Sequence, residues 1–166
     1  MTPKVPHQKA LIPILLLLVL VSSQCRIAQA APEYRLSKGQ TVYVPVYSTV
    51  FSAPKKIPFY LAIILSIRNT DLTESITVTA ADYYDTKGKL VRKYYPKPVT
   101  LAPLESTDVY IPEQDNAGGT GANFIVRWNS QREVNAPIIE SVMIGIKSGQ
   151  GVSFVSPGQE IKDAAR

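Results

Sequence analysis

The sequence of 166 residues predicts an all-β protein: an antiparallel β-sandwich of immunoglobulin-like type with about eight strands. Three observations predict it. From residue 31 onward apolar residues recur almost everywhere with period two, the spacing that sends alternate side chains to opposite faces of a strand. Clusters of Gly, Pro, Asn, Asp and Ser separate the runs at short intervals. No segment after residue 30 carries the periodicity of an amphipathic helix.

Residues 1–30 stand apart. Lys4 and Lys9 give a positive lead, Leu11 to Val21 form an apolar run broken only by Pro13, and Ala28-Gln29-Ala30 ends the segment. That order is a secretory signal peptide cleaved near Ala30, which places the mature chain in the secreted or periplasmic space. The apolar run, about 11 residues, falls short of the roughly 20 needed to span a bilayer. Two alternatives are a lipoprotein attached through Cys25, for which Gln24 and Ser22 fit poorly, and an uncleaved N-terminal anchor. The mature chain, 31–166, has no transmembrane span and forms one domain with a loose polar tail from about 157.

Cleavage changes the chemistry available. Cys25 and His7 are the chain's single cysteine and single histidine, and both precede residue 31. Loss of Lys4, Lys9 and Arg26 leaves fifteen basic residues against thirteen acids, so the net charge falls from +5 to +2 and argues for no nucleic-acid partner. Without thiol or imidazole there is no disulfide, no thiolate nucleophile, no Ser-His-Asp relay and no sulfur or imidazole metal site. The fold must be held by its own apolar core, for which the length suffices.

The strands follow in order. In "TVYVPVYS", 41–48, Val42, Val44 and Val46 share one face, with Tyr43 and Tyr47 on the other; Pro45 cannot donate to a ladder and suits a sheet edge. "SAPKKIP" reads as a loop. "FYLAIILSIRN", 59–69, is apolar on both faces, as in a covered central strand. After the turn "NTDLTE", the run 75–85 places Ile76, Val78 and Ala80 inward. Gly88 in "TKGK" suits the left-handed position of a tight hairpin. "LVRKYY" returns, "PKPVTLAPLES" crosses, and "TDVYIP", 107–112, is a short strand. "NFIVRWN" aligns Phe124, Val126 and Trp128, the last as the sandwich's core tryptophan. "PIIESVMIGI", 137–146, is a second buried strand, whose alternation puts Glu140 on the face of Ile138, Val142 and Ile144. "VSFVS" is the eighth.

Several of these phrases together resemble one family. "GQTVYVPVYS" (39–48), "LSIRNTD" (65–71), "YYDTKGKLV" (83–91), "GGTGANFIVRW" (118–128), "VMIGI" (142–146) and "GQGVSF" (149–154) are similar to exported bacterial proteins catalogued as domain of unknown function 3124. The resemblance spans nearly all of residues 39–161. It implies a bacterial source and an envelope or extracellular location, and carries no assigned activity, ligand or catalytic residue.

Three places could carry chemistry. In "EQDNAGGTG", 113–121, Glu113, Asp115 and Asn116 offer hard oxygen ligands for calcium beside a glycine turn, without the acid spacing of an EF-hand loop; the simpler reading is a wide turn. Because a strand follows it, it is no phosphate cradle, which needs a helix N-terminus. Around Gly88, Lys87, Lys89, Arg92 and Lys93 (with Lys97) interleave with Tyr83, Tyr84, Tyr94 and Tyr95. Such a surface suits an envelope protein or a polysaccharide, or equally an exposed hairpin guarded by charge. Finally, a hydrolase needs only two facing acids, and Asp82, Asp85, Glu105, Asp108 and Glu140 are available, the last with Arg68 or Arg127 as a partner if buried. The expectation is an exported, non-enzymatic binding or scaffolding module of the bacterial envelope that needs no cofactor. The alternatives are a small carboxylate-dependent hydrolase and a calcium-dependent binding module at 113–121.

Overall fold

The alternating runs become strands in the computed structural model, which describes residues 36–52 and 55–162; the segment read as a signal peptide lies outside the described residues. In chain order the strands are β1 (Leu36–Val46), β2 (Thr49–Ser52), β3 (Ile57–Tyr60), β4 (Ala62–Arg68), β5 (Ile76–Tyr84), β6 (Leu90–Lys93), β7 (Val99–Leu101), β8 (Ser106–Ile111), β9 (Ala122–Asn135), β10 (Ile138–Lys147), β11 (Gln150–Pro157) and β12 (Gln159–Ile161). A short 3-10 turn at Gly119–Gly121 leads into β9. Eight strands fall on the expected runs. The others, β2, β3, β7 and β12, are three or four residues long, too short to show alternation. Thus "SAPKKIP" contributes to the β2–β3 ribbon as well as to a loop. The tail expected to be loose from 157 includes β12, which pairs with Thr41–Tyr43 of β1.

All pairings are antiparallel. One sheet has the order β12-β1-β9-β5-β6, with β7 also on β5; the other is β11-β10-β4-β8. The architecture is an antiparallel β-sandwich. Immunoglobulin-like connectivity, the narrower expectation, does not follow from this strand order.

Alternation decides which side chains meet between the layers. From the first sheet come Val42, Val44 and Val46 of β1, then Phe124, Val126 and Trp128 of β9; from the second come Ile63, Leu65 and Ile67 of β4, then Val109 and Ile111 of β8. All are buried, as period two demands. Among the described residues no strand pairs with β1 beside Pro45 on the side away from β9, since β12 covers only Thr41–Tyr43. Its carbonyl accepts a hydrogen bond from Ser141 Oγ of the other sheet at 2.6 Å. The layers are also joined by the chain itself, which turns from β11 to β12 at Gly158. A Cβ there would lie 2.6 Å from the Ile139 carbonyl oxygen and 2.7 Å from Val42 Cγ1, so glycine is needed for close approach.

Two inward assignments are corrected. In β5 the pairing with β9 shifts between Val78 and Ala80, a bulge that reverses the phase: Ile76 and Val78 face the core, then Ala81 and Tyr83. In β10 the buried face is Ile139, Ser141, Met143 and Gly145, so Glu140 belongs to the outer face, opposite Ser66 and Pro157. It needs no buried partner. β4 is likewise fully covered on one face only, with Ile64 half-buried on the other.

The turn "NTDLTE" is held by a buried polar hub. Asn69 Nδ2 donates to the carbonyls of Glu74, Leu101 and Ala102. Asp71 Oδ1 accepts from the amides of Thr73 and Glu74, and Oδ2 from the amide of Asn135, each at 3.0 Å. The amides of Thr73, Asn135 and Glu74 hold the Asp71 carboxyl at about 2, below its ordinary 3.8. A carboxyl whose pKa is depressed by folding contributes stability above its unfolded pKa and loses it as pH falls through the folded one. Asp71→Asn is therefore expected to melt below wild type at neutral pH, with the gap closing between pH 3.8 and about 2 in thermal scans. A gap constant across that window would show that the charge is not what holds the turn.

Candidate functional site

The hairpin between β5 and β6 is closed by local chemistry. Gly88 takes a positive φ of 75°. Asp85 Oδ1 accepts from the amides of Lys87 at 2.8 Å and Lys89 at 2.9 Å, which ties the carboxylate to the turn. Lys87, Lys89, Arg92, Lys93 and Lys97 are exposed.

The glycine-rich loop lies against this hairpin. Thr86 donates to the Gly118 carbonyl through both its amide and its hydroxyl, at 3.0 and 2.9 Å, and the Gly121 amide donates back to Thr86 Oγ1 at 3.0 Å. On the other side Ser48 engages Gly119: the Ser48 amide donates to the Gly119 carbonyl at 3.1 Å and the Gly119 amide donates to Ser48 Oγ at 2.8 Å. The loop is thus pinned from both flanks. Its chain enters the Gly119–Gly121 turn and then a strand, as the alternation after Asn123 required.

The two regions singled out separately in the sequence thus meet, and an ion pair joins them further, Arg92 Nη2 to Asp115 Oδ2 at 3.1 Å. Arg92 Nη1 also donates to the Tyr94 hydroxyl at 2.8 Å, with its guanidinium carbon 5.5 Å from that ring's centroid. Tyr94 hydroxyl and Asp115 together raise the Arg92 pKa further above its ordinary value. Tyr94 in turn packs 5.7 Å from Phe124, which packs 5.1 Å from Tyr83. A chain of contacts runs from the exposed cation into the core.

One member of the expected binding surface, Tyr83, is therefore corrected. Tyr83 is fully buried, because the bulge in β5 turns it inward, and burial pushes its hydroxyl up to about 12. That hydroxyl ends beside Ser48 and Gly118 without a hydrogen bond of regular geometry. Tyr94 and Tyr95 are half-buried, and burial raises both above the ordinary 10; the Tyr95 hydroxyl lies 3.4 Å from Thr107 Oγ1. Tyr84 is half-buried on the outer face of its sheet. Open to a partner are the exposed cations Lys87, Lys89, Arg92, Lys93 and Lys97, with Tyr84, Tyr94 and Tyr95 partly exposed beside them.

Among the candidate calcium ligands, Asp115 faces Arg92 and also accepts from the Ala117 amide at 3.4 Å, and the Asn116 carbonyl accepts from the Gly119 amide at 3.2 Å. Glu113 is half-buried. Among the described residues no three His, Cys, Asp or Glu side chains gather as a metal site.

The carboxylates proposed for hydrolysis are dispersed. Asp82 lies 3.5 Å from Arg127, Asp85 closes its turn, and Glu105 Oε2 accepts from the Ala102 amide at 2.6 Å. Asp108 and Glu140 flank Ser66 in one row on an open sheet face. Two strand spacings separate them, roughly 10 Å. Two clefts stand out among the described residues. One, of about 610 Å³, is lined by Gly39–Thr41, Thr79, Arg127, Trp128 and Glu160–Lys162; the other, of about 430 Å³, by Thr73–Ser75, Thr77, Thr100 and Asn129–Gln131. Each contains one carboxylate, Glu160 bonded to Gln40 Nε2 and Glu74 paired with Arg132. A pair-of-acids mechanism needs two.

Comparison with known proteins adds little chemistry. A family model described as "Protein of unknown function (DUF3124)" matches residues 39–161. No curated protein matches the chain. Among solved structures, one titled "Crystal Structure of Thermotoga maritima 1070" aligns at a TM-score of 0.43 and 11% identity, covering 72% of this chain and 92% of that one.

Proposed function

This chain belongs to the DUF3124 family, whose description states no function, and on that premise we propose that it is an exported, non-enzymatic binding or scaffolding module of the bacterial envelope. The observation that supports this reading is the basic ridge at the β5–β6 hairpin. Lys87 and Lys89 project from a turn fixed by Asp85, Lys93 follows at the far end of β6 opposite Asp82, and the Thr86–Gly118 bonds and the Arg92–Asp115 pair brace the hairpin against the neighbouring loop. A flexible cluster of lysines loses entropy when it meets a partner. Cations carried on a rigid turn lose less, and they attract acidic surfaces without needing a pocket. The partner is thus an acidic one: an anionic polysaccharide or the acidic face of an envelope protein. The exported location rests on the signal-peptide pattern of residues 1–30.

The test separates surface from scaffold. The combined variant Lys87→Ala, Lys89→Ala and Lys93→Ala touches no hydrogen bond of the corner, because the turn bonds use the Lys87 and Lys89 amides. It is expected to keep the wild-type melting temperature and to weaken capture of an anionic polysaccharide roughly tenfold at low salt. Wild-type capture is expected to fade as salt rises, the mark of exposed charge. Capture that is unaffected by both the substitutions and salt would move the binding surface elsewhere. Arg92 is left out of the variant because it ties Asp115 and Tyr94.

A further inference from the structure

The sandwich has several free strand edges, and most are blunted in ways that prevent pairing with another chain. β12 has three residues including Glu160. β6 has four, with Arg92, Lys93 and an irregular register against β5. β7 has three, and β8 carries Asp108 and ends before Pro112. Charges, prolines, bulges and brevity are the devices that protect an edge. β11 has almost none of them. It is eight residues long, "QGVSFVSP", without a charge, and pairs with β10 in unbroken register from Lys147↔Gln150 to Glu140↔Pro157. A tight turn with positive φ at Ser148 and Gly149 fixes that register. Among the described residues nothing pairs with its other side.

Backbone parity says which groups are free. The Gly158 amide donates to the Ile139 carbonyl, so in this antiparallel ladder the even-numbered residues of β11 bond to β10. The amides and carbonyls of Gly151, Ser153 and Val155 point outward; Pro157 has no amide to offer. The side chains of these odd residues belong to the outer face of the sheet, where exposed apolar groups gather: Val155 is 52% and Ile146 70% exposed.

We propose that this edge pairs with the same edge of a second copy, antiparallel about a two-fold axis at Ser153. Gly151 then faces Val155 of the second copy and Ser153 faces its own equivalent, so every outward amide and carbonyl from 151 to 155 is bonded and the prolines fall outside the ladder. The axis sets like against like, and only an uncharged strand tolerates that without repulsion. Gly151, which lacks a side chain, leaves room on the outer face. Val155 of one copy leans across it to cover Ile146 of the other, its cross-strand neighbour. The dimer would be a continuous eight-stranded sheet. This inference is independent of the basic ridge, which lies on the other sheet.

Sedimentation velocity on the purified protein over a rising concentration series tests it. The wild type is expected to shift from monomer to dimer. Ser153→Lys places two lysines directly opposite each other across the axis, on Cα atoms about 5.5 Å apart, and is expected to weaken association at least about tenfold. Val155→Pro removes an outward amide while sparing the β10 ladder, with the same expected effect. Under mild oxidation the Ser153→Cys variant is expected to form a disulfide between the two copies at position 153, identified by peptide mass spectrometry apart from the native Cys25, since directly bonded pairs stand at disulfide distance. A wild type that stays monomeric overturns the proposal. So does a dimer unchanged by Ser153→Lys, or a Ser153→Cys variant whose copies fail to link. If Val155→Pro unfolds, the exposed position 153 still decides.

Discussion

Phe124→Ala is expected to lower the unfolding free energy by about 3–5 kcal/mol, the usual range when a buried phenylalanine is truncated. For a domain of this size that is a large share of a total of roughly 5–15 kcal/mol. Phe124 is fully buried on β9 and lies between two other rings, Tyr83 on β5 and Tyr94 after β6. Alanine would remove both ring contacts at once. The cavity could not collapse easily, because the fully buried Tyr83 has its hydroxyl end lying against Gly118. The effect should reach the surface too. Tyr94 holds Arg92, and Arg92 holds Asp115, so a loosened Tyr94 ring would release the brace between hairpin and glycine loop. Denaturant unfolding should show the loss in stability. Hydrogen exchange should show faster opening of residues 85–93 and 115–121 than of β4 and β10 in the same variant. A loss under about 1 kcal/mol would mean that neighbouring rings refill the space and that Phe124 is not the pivot of this corner.

How much of this was legible in the sequence depended on whether alternation ran unbroken. On β1 and β9 it did, and Val42, Val44, Val46, Phe124, Val126 and Trp128 all face the core as the pattern requires. On β5 a bulge beside Thr79 reversed the phase. Nothing local in "SITVTAADYYD" announces it, so Ala80 reads as inward and Tyr83 as a surface ring. On β10 the more apolar residues mark the wrong face. Val142 and Ile144 look like core, yet Ser141 and Gly145 are buried for reasons that lie on other strands. Ser141 Oγ bonds to the Pro45 carbonyl, and a Cβ at Gly145 would lie 2.7 Å from Leu61, Phe59 and the Tyr60 carbonyl. Small residues there let the layers approach closely. The same logic covers the candidate site. Its residue types were visible, both the lysine-tyrosine hairpin and the acid-glycine loop. Their junction was not, because Thr86–Gly118 and Arg92–Asp115 join positions more than twenty residues apart. The Asn69–Asp71 hub escaped for a different reason: "NTDLTE" has ordinary turn composition, and burial alone makes its two polar side chains indispensable.

Gly118→Ala carries the second large effect, expected at roughly 2–3 kcal/mol of destabilisation, the upper part of the range for overpacking a tight site. The cause is space, since Gly118 is not among the glycines of positive φ. An added Cβ would collide with the Tyr83 hydroxyl and lie 2.7 Å from both Tyr83 Cζ and Ala122 Cβ. These neighbours belong to β5 and to the start of β9; both are buried, and an alanine methyl cannot swing away. The Gly118 carbonyl must also stay where Thr86 can reach it. A second substitution turns the steric account into a thermodynamic cycle. Tyr83→Phe removes only the hydroxyl, which is buried without a regular hydrogen bond, so alone it should be neutral to slightly stabilising. In its presence Gly118→Ala should cost at least about 1 kcal/mol less, because the worst collision is gone, and contacting residues couple by this much. Independent costs that simply add would sink the explanation and return Gly118 to the role of a flexible turn residue. A measured coupling would show instead that this glycine allows the loop to lie directly on the core tyrosine, and so fixes the loop that faces the basic hairpin.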